Sequence, residues 1–479
     1  MNNTSIQMGT TMVGGLGFGC YRVSHTDLVH LEAMRWALAQ GVARIDTSSN
    51  YGNGGSELLV GKVLASTSTE ERPTVVTKYG YVQGNALDLA KAQAAMGIEL
   101  PDVVHISDTA WHCIHPAFLE QALATSFERL GVSHIDVVLL HNPEYYLQVA
   151  HQDGIDVTIA RTEFYRRIEL AFQWLESEVD AGRITSYGIS SNTFAYSTDA
   201  PDFVSLEQCY AIAASVRGEG HHFTTAQLPM NLIEHGAAVV LNQADDTTTT
   251  LERAVQLGVQ VLVNRPLNAI VDNDLIRLVS HPMPTHIVHP DDVEQRIHAL
   301  EITEHDLVNA LMAERSHTER ETQLVQESFK IAGTLCQSWS KFQGLPHWRD
   351  VRRAYLEPRL EAATIIAERS AESAAVLSYL HDIHHVLDDI DVVYSSEENV
   401  SLEEFRTALA EEFGMDIDTP LQHIAIQALR CTEGVSNVLV GMRRREYVDD
   451  VLCVLEMPET TYHRDTWLRV AEQLARLSQ

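Results

Sequence analysis

Between residues 15 and 265, short β-branched runs alternate with stretches whose apolar positions recur every three or four residues. The runs at 16–20, 43–46, 74–78, 137–141, 187–190, 225–228 and 259–263 predict strands. Between them, 27–40 carries Val29, Ala33, Met34, Ala37 and Leu38 at helical spacing, and 162–181 repeats Ile168, Phe172 and Leu175 before Gly182. Segment 116–130 opens with Pro116 and stops at Gly131, and 251–257 stops at Gly258, which are helix start and stop signals. Strand–helix alternation repeated seven times predicts parallel strands joined by right-handed crossovers.

The alternation breaks near Asn268 and resumes after Pro420. In between, helical patterns at 303–313, 320–336, 347–369 and 371–390 dominate, with Trp339 and Trp348 as apolar anchors. Beyond the break, 421–430 reads as helix, 435–440 as an apolar strand and 446–455 as a closing helix. That strand is the eighth, and it predicts an α/β fold, a (β/α)8 TIM barrel with a mainly α-helical insertion. The expected division is 1–267 for seven β/α units, 268–418 for the insertion, and 419–479 for the eighth strand and C-terminal helices. Without its 151-residue insertion the chain keeps 328 residues, a fitting size for such a barrel. An open doubly wound sheet is disfavoured, because Gly15, Gly17 and Gly19 alternate along the first strand instead of forming a Gly-x-Gly-x-x-Gly turn after it.

Chemistry in such barrels gathers at the carboxyl ends of the strands. Strand two ends at Asp46, with Tyr51 five residues on; strand three ends at Lys78 and strand four at His141. A lysine inside a barrel is costly to desolvate unless paired, and Asp46 is the partner at hand. Read functionally, the pair lowers the pKa of Tyr51 and makes its hydroxyl a proton donor near neutral pH. Read structurally, it is an ion pair beside a satisfied polar histidine. The occurrence of Asp46, Lys78 and His141 on successive strand ends, with Tyr51 just past the first, favours the functional reading.

The ordered motifs are Asp46-x4-Tyr51, the run Gly54-Gly55-Ser56-Glu57-Leu58-Leu59-Val60-Gly61, Thr77-Lys78, Arg129-Leu130-Gly131-Val132 before Ile135-Asp136, and Leu140-His141-Asn142-Pro143. Together they resemble the aldo-keto reductase family over roughly 12–270 and 419–456. The resemblance implies a catalytic tetrad of Asp46, Tyr51, Lys78 and His141, with Tyr51 as general acid and His141 orienting the carbonyl or relaying a proton. It also implies cofactor positions. Ile189-Ser190-Ser191-Asn192 is similar to the family's Gly-Val-Ser-Asn, with Ser190 matching its Ser and either Ser191 or Asn192 its Asn. Gln227 would bind the nicotinamide carboxamide. Asn264-Arg265-Pro266-Leu267 stands where the family often has a stacking aromatic before Ser-Pro-Leu, so Asn264 replaces that ring and Arg265 could approach the pyrophosphate. Gly441-Met442-Arg443-Arg444-Arg445-Glu446 resembles the adenosine-phosphate site, with Asp450-Val451 where Glu-Asn is usual. Successive arginines at a helix N-terminus oppose the helix dipole, and a bound 2′-phosphate would explain them. NADP is therefore expected over NAD, and no metal is expected.

Composition narrows the partners. There are 34 Lys+Arg against 66 Asp+Glu, a formal net charge of −32 with His neutral, and only five of the cations are Lys. So acidic a surface repels phosphate backbones and anionic lipid, which leaves a small-molecule substrate and disfavours nucleic acid and membranes. A saline environment would also suit it. Residues 1–10 lack the pattern of a targeting signal, no run approaches 18 apolar residues, and the six Cys are scattered without a CxxC pair, so a cytoplasmic protein with reduced thiols is expected. His381, His384, His385 and Asp388 share one helix face, but a single helix cannot easily supply a tetrahedral set, so these and the loop pair His221-His222 are read as solvated or core residues.

The expected function is an NADP(H)-dependent oxidoreductase interconverting a carbonyl (aldehyde, ketone or sugar) and an alcohol. The alternative is a nicotinamide-cofactor-binding regulatory or scaffold subunit. A metal-dependent barrel hydrolase is disfavoured, since no His-x-His follows an early strand. Tyr145, Tyr146, Leu147 and the insertion would meet the substrate, and the insertion would serve as a wall or a homo-oligomer interface.

Overall fold

The computed structural model describes residues 14–68, 71–271, 274–281, 287–313 and 318–477. The segment 1–10, read above for a targeting signal, lies outside the described residues. The chain divides into two compact units, Met1–Val279 with Ala408–Gln479, and Ser280–Thr407.

The first unit is built on a closed barrel of eight parallel strands. They are β1 (Gly15–Gly19), β2 (Arg44–Asp46), β3 (Thr74–Tyr79), β4 (Ile135–His141), β5 (Ile184–Ser190), β6 (Phe223–Pro229), β7 (Gln260–Asn264) and β8 (Val435–Val440). β1 closes the ring on β8, with Gly15 opposite Asn437 and Phe18 opposite Val440. Register brings the strand ends to one rim: Gly19 lies opposite Asp46, His141 opposite Ser190, and Ser190 opposite Gln227. Because side chains alternate along a strand, Lys78 and His141 share a face with Val76 and Leu139 two residues earlier. Val76, Val137, Leu139, Leu262 and Leu439 form one buried apolar cluster. Gly17 makes room for it, since a Cβ there would lie 2.7 Å from Leu439 Cδ2.

Helix ends follow their local chemistry. Pro116–Leu130 starts with its proline in the first turn and ends at Gly131 in the left-handed region (φ 66°). Thr249 and Glu252 form a reciprocal capping box for Thr250–Leu257. The helix expected at 162–181 runs from Val157 to Asp180, because Asp156 caps the amides of Thr158 and Ile159. Two features go beyond the sequence pattern. After β3, Tyr81–Val82, Ala110–His112 and Val104–Ser107 form a three-stranded antiparallel sheet. After β7, Asn268–Val271 pairs with Asp274–Arg277 as a hairpin belonging to the first unit, in residues expected to begin the helical insertion.

The second unit is helical: Pro290–Ala313, Glu319–Ser328, Ala332–Ser338, Leu345–Val351, Glu357–Ala367 and most of Ser373–Glu412, which continues past the unit boundary. Its apolar core includes Leu300, Leu307, Trp339, Trp348, Ile383 and Leu387, so both tryptophans act as the anchors expected. Among the described residues no helix is long and apolar enough to cross a membrane.

Candidate active site

Lys78 is fully buried at the end of β3 and makes three short contacts. Its Nζ lies 2.7 Å from Asp46 Oδ2, 2.8 Å from the Thr47 carbonyl and 3.3 Å from the Tyr51 hydroxyl. Burial alone would lower the lysine's pKa, but Asp46 and Tyr51 more than offset it and hold the ammonium above its ordinary value. The cation is therefore permanent across the physiological range.

Tyr51 reaches this cation through an unusual turn. Gly52, Asn53 and Gly54 all have positive φ (55°, 53° and 86°), a run open to Gly and Asn but strained for other residues. At Gly54 a Cβ would also strike the Arg129 guanidinium. That guanidinium donates to the Ser49 carbonyl and to Glu57, whose buried carboxylate also accepts from Thr77 and Ser126. The Gly54–Gly61 run thus braces the Tyr51 turn. The phenol does not follow the expected lowering: burial pushes its pKa up, and the Lys78 charge offsets only part of that. The physical reason is that Tyr51 gives up more hydration than one neighbouring cation returns.

His141 ends β4 with its ring edge-on to those of Tyr51 (5.9 Å between centroids) and Tyr81 (4.8 Å). Ser48 Oγ lies 3.1 Å from its Nδ1, and His112 Nε2 lies 2.7 Å from its carbonyl oxygen. Burial, then Lys78 and His112, press its pKa well below the ordinary histidine value, so the ring is neutral. Ser48, Tyr81 and His112 escape sequence reasoning. Tyr81 and His112 arrive from the small sheet after β3, and Ser48 carries no motif of its own.

The strand ends across the barrel extend the network. Gln227 Nε2 donates to Asp46 Oδ1 at 2.7 Å, and Gln227 Oε1 accepts from Ser190 (3.0 Å) and from Asn264 Nδ2 (3.2 Å). Asn264 Oδ1 is buried without a partner among the described residues. Ser191 is buried, its hydroxyl 3.2 Å from that of Thr193, and the Asn192 amide donates to Glu144 Oε1 at 2.8 Å. Burial pushes the Glu144 carboxyl up to about 7.

The remaining expected cofactor residues divide. Arg265 has positive φ (55°) and pairs with Glu234 at 2.9 Å, with Pro266 buried and Leu267 half-buried beside it. Asp450 accepts from Gln422 and lies 2.8 Å from His423 Nε2. Gly441 is exposed between β8 and the helix Arg445–Leu452, for which Arg444 is the N-cap. Half-buried Arg443 has its pKa lowered, first by burial and then by the charges of Arg22, Arg444 and Arg277. The charges of three other arginines thus act on Arg443, in a chain of net charge −32, and none of the four has an ion pair among the described residues. Arg277 belongs to the hairpin after β7 and carries no motif. Such a cluster calls for a polyanion.

In the insertion, His381 and His385 bring their Nε2 atoms to 3.2 Å, whereas Asp388 pairs with Arg352.

Residues 5–267 match the family model described as Aldo/keto reductase family. A putative voltage-gated potassium channel subunit beta of Schizosaccharomyces pombe is 26% identical over 211 residues, 41% of this chain and 53% of that protein. The match thus spans about half the length of that relative. Among solved structures, the chain is similar to an aldo-keto reductase of Bacillus halodurans in its holo form (14% identity, TM-score 0.46, 96% of this chain and 92% of that one). It is also similar to a glycerol dehydrogenase of Gluconobacter oxydans (17%, TM-score 0.45, 97% and 92%). An aldo/keto reductase of Klebsiella pneumoniae in complex with NADP and acetate is similar over 53% of this chain and 65% of that one (18%, TM-score 0.33). With the family model covering more than half of the sequence and the barrel closed on eight parallel strands, the chain belongs to the aldo/keto reductase family.

Proposed function

We propose that the protein is an NADP(H)-dependent oxidoreductase that interconverts a carbonyl compound and an alcohol, with Tyr51 as general acid and base. The observation that carries this is the position of the Tyr51 hydroxyl, 3.3 Å from a buried ammonium that Asp46 keeps charged. A bound nicotinamide dinucleotide supplies or takes the hydride. In reduction Tyr51 passes its proton to the substrate oxygen, and Lys78 stabilises the phenolate left behind. Neutral His141 hydrogen-bonds that oxygen and orients it. Ser190, Gln227 and Asn264 suit the nicotinamide carboxamide, and the unpartnered Oδ1 of Asn264 supports that fit. Arg443 and Arg444, with Arg22 and Arg277, suit a 2′-phosphate, which favours NADP over NAD. The proposal includes a small-molecule carbonyl or sugar substrate, a cytoplasmic setting, and the helical unit as a surface for a second copy of the chain.

The second reading, a cofactor-binding regulatory or scaffold subunit, draws on the name of the Schizosaccharomyces pombe relative. The assembled proton-transfer set favours turnover. Fluorescence titration with NADPH, followed by a panel of aldehydes, ketones and sugars, tests the proposal. Nucleotide binding with no turnover of any carbonyl or alcohol would favour the scaffold instead.

A further inference from the structure

Away from the barrel, the second unit brings together three side chains of different chemistry. His298 and Glu301 lie at i and i+3 on one face of Pro290–Ala313, and Cys336 faces them from Ala332–Ser338. Cys336 Sγ is 3.5 Å from His298 Nδ1 and 3.2 Å from Glu301 Oε2, and these last two atoms are 3.7 Å apart. Around a tetrahedral zinc, with metal–ligand bonds of about 2.0–2.3 Å, ligand atoms are separated by about 3.4–3.6 Å. The three atoms already form one face of that tetrahedron.

A buried carboxylate ties the two helices together. Glu304, one turn beyond Glu301 and buried, accepts from the amides of Ile331 (2.9 Å), Ala332 (2.8 Å) and Gly333 (3.1 Å), and from the Tyr379 hydroxyl. It thereby ties the start of the Cys336 helix to the helix carrying His298 and Glu301. The surroundings are anionic. Glu294, Glu301 and Glu304 are the charged groups acting on Cys336, a setting that favours a bound cation. The His298 and Glu301 side chains are 59% and 45% exposed, so an ion can enter without any opening of the fold.

We propose that His298 Nδ1, Glu301 Oε2 and Cys336 Sγ bind a borderline-soft divalent cation, zinc above all, with water completing the tetrahedron. Thiolate and imidazole together select zinc over the hard cations magnesium and calcium. One thiolate and one carboxylate balance its two charges, and binding releases the Cys336 proton. The metal clamps two helices of the second unit and takes no part in the proposed hydride chemistry.

The test uses the full chain, stripped with a chelator and titrated first with cobalt and then with zinc against a chromophoric competitor. Expected are one equivalent bound per chain, a thiolate-to-cobalt charge-transfer band, and about one proton released per metal at pH 7. Cys336→Ser should abolish the band, and both it and His298→Ala should weaken zinc binding at least about tenfold, given that losing even an outer-shell partner costs about 10–100-fold. Circular dichroism of each variant confirms that it is folded. The His381→Ala/His385→Ala double variant should keep the band and the affinity. The proposal is overturned if the stripped chain takes up no metal, if folded Cys336→Ser retains the band, or if the double-histidine variant loses the metal instead.

Discussion

Gln227 and Lys78 hold opposite oxygens of one buried carboxylate: Gln227 Nε2 donates to Asp46 Oδ1 and Lys78 Nζ to Asp46 Oδ2, each at 2.7 Å. A residue proposed to grip the cofactor is thus bonded to the residue that anchors the proton-transfer cation. Gln227→Leu should leave Asp46 Oδ1 buried and unpaired, costing about 1–3 kcal/mol of stability. It should also weaken nucleotide binding and lower turnover together. Denaturant melts and NADPH titration check this, and unchanged nucleotide affinity would remove Gln227 from the cofactor site.

For Tyr51→Phe the expectation is a turnover loss of about 10²–10⁴-fold with nucleotide affinity within a few fold, because the hydroxyl serves only the transition state. The direction of the phenol's shift sets the pH profile. With its pKa raised, Tyr51 keeps its proton through neutral and mildly alkaline pH, so kcat/KM for reduction should stay flat there and fall only in strong alkali. Oxidation, which needs the phenolate, should climb over the same range. A reduction rate falling by pH 8 would assign the acid role to another group.

Legibility followed the physics of each element. The barrel strands were readable because short apolar runs set between capped amphipathic helices leave few other folds, and Pro116, Gly131 and Gly258 marked helix ends by backbone rules alone. Asp46, Lys78 and His141 stood out because a polar residue ending an apolar strand needs a reason. The small sheet carrying Tyr81 and His112 was not readable, since strands of two to four residues show no periodicity. The net direction of the Tyr51 shift depends on how much water its ring loses, which no spacing encodes. Cys336 and His298 stand 38 residues apart on separate helices, so only the packing of those helices reveals the trio.

Replacing Arg443 and Arg444 by Ala should weaken NADPH binding by at least about tenfold while changing NADH binding little. Each arginine lost removes a charge-assisted contact, at about 1.5–3 kcal/mol, that only the 2′-phosphate can make. The gap between the two nucleotides should narrow as salt rises. Equal losses for both would make the arginine cluster structural.

Glu144 gives a pH test of stability. An unfolded glutamate titrates near 4.3, and the folded one is pushed up to about 7. The folded state therefore holds the proton more tightly. Its contribution to stability is full below about pH 4 and is lost as pH rises through about 7. Glu144→Gln keeps an oxygen for the Asn192 amide and removes the charge. Relative to wild type it should gain up to about 3 kcal/mol between pH 4 and 8, read from urea midpoints. Parallel curves for the two proteins would mean that the carboxyl titrates normally.

The last prediction concerns the helical unit. The buried residues of its apolar cluster lie between Val293 and Tyr394, and the barrel strands on either side of it, β7 and β8, pair with each other and with β6 and β1. The barrel cluster of Val76, Val137, Leu139, Leu262 and Leu439 lies in the first unit. Replacing 281–406 by a short Gly/Ser linker removes a long connection between strands that already pair, and loop closure changes by only about 0.6 kcal/mol per doubling of length. The shortened chain should fold cooperatively, keep the far-ultraviolet signature of an α/β barrel, and still quench on NADPH addition. If the helical unit also joins two copies, gel filtration should show the shortened chain as monomer where the full chain is larger. A shortened chain that folds but binds no nucleotide would mean that the unit contributes to the cofactor site. One that cannot fold would make the unit part of the barrel's own assembly, against the division into two compact units.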